Sequence, residues 1–355
     1  MTSKKKDNVK NFIDEDFDFV DDELNQLYSH VSLVKEDKDA DYKKSPDYIA
    51  YRKLWRDTAV SHTKTDFPLH LDIEVTSYCN LLCPMCPRTH RVQMGKWENR
   101  MMKFDTFKKI IDEGAAKGLR AINLNNFGES LYNKDIIKMI SYANSNGVLD
   151  IMLHTNGTYM NEDLMKELIN SGLTKIIFSV DSISKDIYEK IRVNAKFEDT
   201  VNNIKKFYNI RKKLNKKLPT IRISMVRMKE NNHEAKNFSS FWGEYADEIS
   251  YTDYRNQDGL DKEDRYVNYK KENKSYACPA LWQRLTVNAT GEVTACCRDA
   301  GKRLTLGKLS QESLTDIWEG KKLNDSRILH ENKRANEIDA CNGCDHIRGH
   351  IINKI

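Results

Sequence analysis

The chain has 355 residues, of which 58 are basic and 53 acidic, giving a formal net charge of +5. This balance of charges does not indicate nucleic-acid binding. The basic stretch at residues 205–217 lies at the end of a helical pattern, so we expect it to form a solvated helix face. Hydrophobic residues make up 39% of the chain and its mean hydropathy is −0.71, from which we expect no membrane span. The first residues are polar and charged and lack the apolar run of a signal peptide. We therefore expect a cytoplasmic protein with no membrane partner, whose eight cysteines serve metals or catalysis rather than disulfides.

Residues 1–66 are charged and have only weak apolar periodicity, which predicts a polar N-terminal extension. Within it, Tyr48, Tyr51, Leu54 and Trp55 recur at roughly helical spacing. We expect them to form the apolar face of one amphipathic helix that leads into the core.

Residues 67–260 alternate between strand and helix patterns. The predicted strands are residues 71–75, 121–124, 151–153, 175–180, 220–226 and 248–252. Helical periodicity separates them; Asn161 is predicted to begin one helix, and Gly147 and Gly172 to end two. Six β–α repeats predict an α/β fold with a parallel sheet, either doubly wound or curled into a partial (β/α)6 barrel. In both architectures ligands bind at the carboxyl ends of the strands.

Three cysteines, Cys79, Cys83 and Cys86, follow the first predicted strand in the spacing C-x3-C-x2-C. Thiolates so close on one loop suit a single iron–sulfur cluster, and three of them leave one iron of a four-iron cluster without a protein ligand. An open metal position is typical of a catalytic site. The alternative is a zinc loop, but structural zinc takes four ligands in two pairs, which this spacing does not provide.

The segment 261–355 has a different pattern. Two short strand patterns flank residues 288–291, which predicts a hairpin with Gly291 in its turn. Ser313 and Asp316 form a capping box, which predicts the start of a short helix. The segment ends in Cys341-x2-Cys344. We expect a small hairpin-plus-helix domain.

Together these motifs resemble the radical S-adenosylmethionine (SAM) enzymes, whose signature is C-x3-C-x2-C after the first strand of a β/α array; the resemblance covers about residues 67–260. It implies a [4Fe–4S] cluster that binds SAM through its open iron, and cleavage of SAM to a 5′-deoxyadenosyl radical that abstracts hydrogen from a substrate. It also implies an electron donor such as flavodoxin or ferredoxin. The positions that match or face the family's cofactor contacts are Gly128, Glu129, Asn156, Ser179, Asp181 and Arg192.

The C-terminal segment resembles the SPASM or twitch module found on a subset of these enzymes. Cys278, Gly291 and Cys296 match its C-x(n)-G-x4-C opening, and Cys341 and Cys344 match its closing pair. The resemblance implies one auxiliary [4Fe–4S] cluster with four thiolate ligands and a role in electron transfer. The alternative for the same four cysteines is a zinc site, which also takes two pairs that are apart in sequence.

Cys297 is the cysteine left over, and three interpretations are open. It packs as a small apolar group beside a ligand, it ligates the auxiliary cluster in place of Cys296, or it donates a hydrogen atom to a substrate radical. The last role would make the protein an epimerase. The G-x4-C count favours Cys296 as the ligand.

Three functions compete. The first is oxidation or epimerisation of a secondary alcohol on a sugar, cyclitol or related small molecule, which the resemblance to family members with a single auxiliary cluster favours. The second is modification of a ribosomally made peptide or a protein side chain. The third is a non-catalytic iron–sulfur or zinc protein, against which the open iron argues. Oxidation needs a group to take a proton, and Arg255, just past the sixth strand, is the candidate.

Overall fold

A computed structural model describes residues 30–33, 41–267, 269–271, 277–345 and 349–351. Its strands, numbered in chain order, are β1 (His30–Leu33), β2 (His70–Ile73), β3 (Ala121–Leu124), β4 (Asp150–Thr155), β5 (Lys175–Ser179), β6 (Thr220–Arg227), β7 (Glu248–Asp253), β8 (Tyr269–Lys271), β9 (Arg284–Val287), β10 (Glu292–Thr294), β11 (Thr305–Lys308) and β12 (Gly349–Ile351).

The helices are numbered in the same way. They are α1 (Pro46–Ser61), α2 (Pro87–Gln93), α3 (Phe104–Ala116), α4 (Ile136–Ser145), α5 (Glu162–Asn170), α6 (Lys185–Ile191), α7 (Phe197–Lys213), α8 (Ala235–Trp242), α9 (Ala280–Gln283), α10 (Leu314–Glu319) and α11 (Lys321–Glu331). Short 3₁₀ segments lie at Asp41–Lys44, Ser130–Tyr132, Asn232–Glu234, Gln257–Gly259, Ala335–Glu337 and Asp339–Cys341.

One large sheet organises the molecule, in the order β1-β7-β6-β5-β4-β3-β2-β9-β10-β11. Strands β2 to β7 lie side by side in chain order and run parallel, so the predicted α/β array is confirmed. Helices separate these strands, and the side chains between the layers are almost completely buried, as at Leu71, Ile122 and Ile151. Burial of each such side chain stabilises the fold by about 1.5–3 kcal/mol. The parallel register brings the carboxyl ends of all six strands to one edge.

The predicted C-terminal hairpin is present and continues this sheet. Strands β9 and β10 pair antiparallel, with Gly291 in the turn at a φ of +79° that favours glycine. Strand β9 also runs parallel to β2, with Leu285 opposite Leu71. The capping box is formed by Ser313 and Asp316 at the start of α10. The sheet contains strands from both sides of residue 260. The boundary between a core domain at 67–260 and a module at 261–355 therefore stays a proposal.

The helix predicted in the N-terminal extension is α1. Tyr48, Tyr51 and Trp55 are buried against Leu69, as expected, whereas Leu54 is 42% exposed. The prediction was wrong for Leu54 because the buried positions follow the spacing i, i+3, i+7, which places the preceding residue on the outer face. The rest of residues 1–40, apart from the short strand β1, lies outside the described residues.

The predicted helix boundaries in the array are present. Asn161 caps α5 by accepting the N–H of Leu164 at 2.8 Å. Gly147 and Gly172 follow α4 and α5 at φ values of +82° and +93°. Among the helices in the described ranges, none combines the length and apolar character that crossing a membrane requires.

Candidate active site

The loop after β2 carries the three predicted cysteine ligands. Cys86 stands at the cap of α2, with Pro87 in the first helical position, where its fixed φ suits the helix. The N–H of Cys86 donates to the carbonyl of Cys83 at 3.0 Å, and the N–H of Leu81 lies 3.5 Å from the sulfur of Cys79. These turns bring the three cysteines to the wall of one cavity of about 140 Å³.

A buried arginine that the sequence analysis did not single out holds this loop. Arg88 is 5% exposed, and its guanidinium donates to the backbone carbonyls of Ser77, Leu81 and Cys79 at 3.1–3.2 Å. A guanidinium is a planar fork of donors, so it fixes all three carbonyls at once. No local pattern distinguishes Arg88 from a solvated arginine in the first turn of a helix.

Five of the six predicted cofactor-contacting residues line the same cavity. They follow neighbouring parallel strands or the next helix, and the carboxyl ends of those strands meet there. These residues are Gly128, Glu129, Asn156, Ser179 and Arg192.

Glu129 links the second and third strands of the array to the cysteine loop. It is 3% exposed, and its carboxylate accepts the backbone N–H groups of Asn156 (2.7 Å) and Leu131 (3.3 Å). Burial raises the pKa of this carboxyl, while the N–H of Asn156 opposes the rise. The side chain of Asn156 donates to Asn80 (3.0 Å) and lies 3.9 Å from the sulfur of Cys79.

Gly128 is required by a close approach of two backbone segments. A Cβ at this position would lie 1.9 Å from the carbonyl oxygen of Thr76, which is backbone and has little freedom to move. Any side chain here would push the segment that carries Glu129 away from the end of β2. The glycine of this Gly–Glu pair therefore has a packing role.

Arg192 connects the cysteine loop with the end of β5. Its Nη1 lies 3.8 Å from the sulfur of Cys83, and its Nη2 lies 2.6 Å from Asp181. Asp181 is completely buried, accepts the N–H of Val226 at 2.7 Å, and does not belong to the cavity wall. Contact between Asp181 and a cofactor was predicted; its placement leads us to propose instead that Asp181 positions Arg192.

The first three cysteines fit the cluster that the family resemblance implies. Burial raises the pKa of Cys83 to about 11 and also raises the pKa values of Cys79 and Cys86. Such thiols lose their protons when a metal binds them. The donors of Arg192 and Asn156 then face the thiolate charge, as ligand-orienting groups around metal sites do.

The other four predicted ligands come together in the C-terminal segment. Cys278 precedes α9, Cys296 follows β10, and Cys341 and Cys344 lie beside the final 3₁₀ turn. Burial, together with the nearby Cys344, raises the pKa of Cys278 to about 11. The pKa of Cys341 is raised by burial and then by Cys278 and Cys344. The N–H of Arg298 lies 3.3 Å from the sulfur of Cys296.

In the part of the chain that the structure describes, no three His, Cys, Asp or Glu side chains are arranged to hold a single metal ion.

The two candidate catalytic residues lie outside this cavity wall. Cys297 adjoins Cys296, and their thiols interact with each other; neither belongs to this cavity wall. Arg255 is 9% exposed and donates to the backbone carbonyl of Asp345 at 2.6 Å, which ties the end of β7 to the C-terminal segment. A catalytic role for either residue stays a prediction.

A second cavity, of about 240 Å³, adjoins the first, since Phe127 lines both. It lies between the segment after β2 and the turn of the C-terminal hairpin, and its wall includes Glu74 and Lys302. Glu74 is 4% exposed, accepts the N–H of Ala289 at 3.1 Å, and has its pKa raised by burial. Glu74 has no distinguishing signal in the sequence, where it is an ordinary member of an alternating strand pattern.

Two family models match the chain. The one described as the radical SAM superfamily covers residues 73–237, and the SPASM model, described as an iron–sulfur cluster-binding domain, covers residues 278–345. A GTP 3′,8-cyclase of Desulforamulus reducens is 28% identical over 172 residues, which are 48% of this chain and 50% of that protein. A tungsten-containing aldehyde ferredoxin oxidoreductase cofactor-modifying protein of Pyrococcus furiosus is 29% identical over 167 residues, 46% and 44% of the two chains. The chain thus spans about half the length of the curated relatives it matches.

Solved structures share the fold at low identity. SuiB of Streptococcus suis, bound to S-adenosylmethionine, has a TM-score of 0.61 and 15% identity, over 85% of this chain and 76% of that one. BtrN in complex with AdoMet and 2-DOIA has a TM-score of 0.52 and 17% identity, over 80% and 94%.

The matched domains imply a SAM-binding [4Fe–4S] cluster and auxiliary iron–sulfur ligation, and the two cysteine groups lie one in each matched region. The chain therefore contains a radical SAM domain at residues 73–237 and a C-terminal SPASM iron–sulfur cluster-binding domain at residues 278–345.

Proposed function

We propose that this radical SAM enzyme oxidises a secondary alcohol on a small polar molecule such as a sugar or cyclitol. When bound, the reduced cluster and SAM supply a 5′-deoxyadenosyl radical that takes hydrogen from the substrate. Cys79, Cys83 and Cys86 would ligate that cluster. Gly128, Glu129, Asn156, Ser179 and Arg192 would form the facing wall against SAM. Flavodoxin or ferredoxin is the expected electron donor.

The observation that carries the substrate class is the cavity that adjoins the cysteine wall. Besides Glu74, its lining includes the side chains of Ser77, Asn288, Thr290 and Lys302. Hydroxyl, amide, carboxyl and ammonium groups on the wall of one cavity provide both donors and acceptors, which suits a molecule that carries several hydroxyl or amino groups. One structural neighbour, BtrN, was solved with the small molecule 2-DOIA.

Oxidation of a carbinol radical also needs a proton acceptor and an electron acceptor. Glu74 lines the adjoining cavity, and burial moves its pKa towards neutrality, which suits a general base. It is therefore better placed than Arg255, whose guanidinium is engaged with the C-terminal segment. The auxiliary cluster at Cys278, Cys296, Cys341 and Cys344 would take the electron.

The position of Cys297 favours oxidation over epimerisation. Its side chain is partly buried beside that of Cys296, and it belongs to neither cavity wall. A thiol that returns hydrogen to a substrate radical has to face the substrate. We therefore propose that Cys297 packs beside the auxiliary site.

Two other substrate classes have support from the comparisons. The GTP 3′,8-cyclase relatives point to a nucleotide, and cations such as Arg91 and Lys302 on the cavity wall suit phosphate groups. SuiB has also been solved bound to the precursor peptide SuiA, which keeps peptide modification as an alternative.

The test uses the anaerobically reconstituted full chain with SAM, dithionite and one probe at a time: myo-inositol, glucosamine, UDP-glucose, GTP or a synthetic peptide. We expect a polyol to stimulate 5′-deoxyadenosine formation and to lose two hydrogens, with no solvent deuterium at the reacting carbon in heavy water. The variant Cys297→Ala should give the same product, whereas Glu74→Gln should lose product while 5′-deoxyadenosine still forms.

Other outcomes assign the function differently. Deuterium at the reacting carbon that disappears with Cys297→Ala shows an epimerase. Stimulation by GTP or the peptide alone overturns the proposed substrate class.

A further inference from the structure

His330, near the end of α11, lies between two of the proposed auxiliary-cluster ligands. It is 1% exposed. Its Nδ1 accepts the backbone N–H of Cys278 at 3.1 Å, and its Nε2 lies 3.4 Å from the sulfur of Cys341. The imidazole therefore joins the first and third of these cysteines in chain order.

The hydrogen bond from Cys278 to Nδ1 determines the direction of the hydrogen bond between Nε2 and Cys341. A backbone N–H is only ever a donor, so Nδ1 must present its lone pair to Cys278. In a neutral imidazole the proton then sits on Nε2. Nε2 therefore donates to Cys341, whose sulfur is the acceptor once it ligates a metal.

The ring is held in this position by its own helix. Arg327 lies three residues earlier on α11 and is 5% exposed. It donates to the backbone carbonyls of Leu281 (2.9 Å) and Trp318 (3.2 Å). Leu281 belongs to α9, which begins two residues after Cys278, so these bonds fix α11 against the segment that carries the first ligand.

We propose that His330 is a positioning residue that raises the reduction potential of the auxiliary cluster through its hydrogen bond to Cys341. Reduction adds negative charge to a cluster, and a donor directed at a ligating sulfur stabilises that charge. The proposal rests on the assignment of the four cysteines as ligands. Under the proposed function, the higher potential makes the cluster a better acceptor for the substrate's electron.

The test measures a potential, which a purely structural histidine would leave unchanged. The full chain with Cys79, Cys83 and Cys86 replaced by Ala isolates the auxiliary cluster, and a redox titration followed by electron paramagnetic resonance gives its midpoint. We expect His330→Leu to lower the equilibrium constant for reduction at least tenfold, a shift of about 59 mV for a one-electron couple. His330→Gln should keep the midpoint potential close to that of the unaltered histidine, because an amide carries an acceptor and a donor at similar separation.

An unchanged midpoint in His330→Leu with the cluster retained overturns the proposal. If that variant loses the cluster, ¹⁵N-histidine labelling of the chain with His330 intact decides the question. Pulsed electron paramagnetic resonance should then show a nitrogen coupled to the reduced cluster, and absence of this coupling overturns the proposal. Neither readout depends on substrate, so these outcomes are separate from failure of the oxidation assay.

Discussion

A variant in which Cys79, Cys83 and Cys86 are all replaced by Ala is expected to bind about half the iron of the unaltered protein, since it keeps one of two four-iron clusters. It should form no 5′-deoxyadenosine from SAM, even with dithionite as reductant. The physical reason is that these cysteines occupy one loop on the wall of the cavity proposed to bind SAM. Iron analysis and chromatography of the SAM cleavage products measure both effects.

The matched control is the variant Cys297→Ala, which removes a thiol outside the proposed ligand sets. It should retain the full iron content and SAM cleavage. If the triple variant still cleaves SAM, the assignment of this loop as the SAM-binding site is wrong.

The second large effect concerns the auxiliary ligands. Replacing Cys278 or Cys341 with Ala should preserve SAM cleavage without substrate and suppress product, because the substrate's electron then has no acceptor. The C-terminal segment should also lose stability, since metal binding and folding are coupled in small cysteine-rich modules. Parallel assays of 5′-deoxyadenosine and product, with thermal unfolding of the same samples, separate the two effects.

Full product formation by Cys278→Ala with the auxiliary iron gone would contradict a redox role for this site. Loss of both clusters in that variant would show that the two sites fold together, as the continuous pairing of β2 with β9 allows.

Local sequence patterns predicted most of the fold. The alternation of strand and helix patterns located β2 to β7. Helix-cap chemistry located Asn161 and Ser313, and turn chemistry located Gly291. The pairing of β9 with β2 had no local signal, because it joins residues more than two hundred positions apart. For the same reason the sequence pattern predicted a separate C-terminal domain, although the hairpin of that segment continues the large sheet.

The sequence predicted those parts of the candidate site that depend on the spacing of cysteines and on motifs at the ends of strands. The seven proposed ligand cysteines form the two expected groups, and five family-matched positions line one cavity. Arg88, Glu74 and His330 had no such signal, because their roles depend on backbone groups brought near by folding. Asp181 matched the family by position, but its side chain is directed at Arg192.

The most direct test is the metal content of the unaltered, anaerobically reconstituted chain. Two four-iron clusters predict about eight irons per chain and no zinc. About four irons with one tightly bound zinc would contradict the auxiliary cluster and leave a structural metal site at Cys278, Cys296, Cys341 and Cys344.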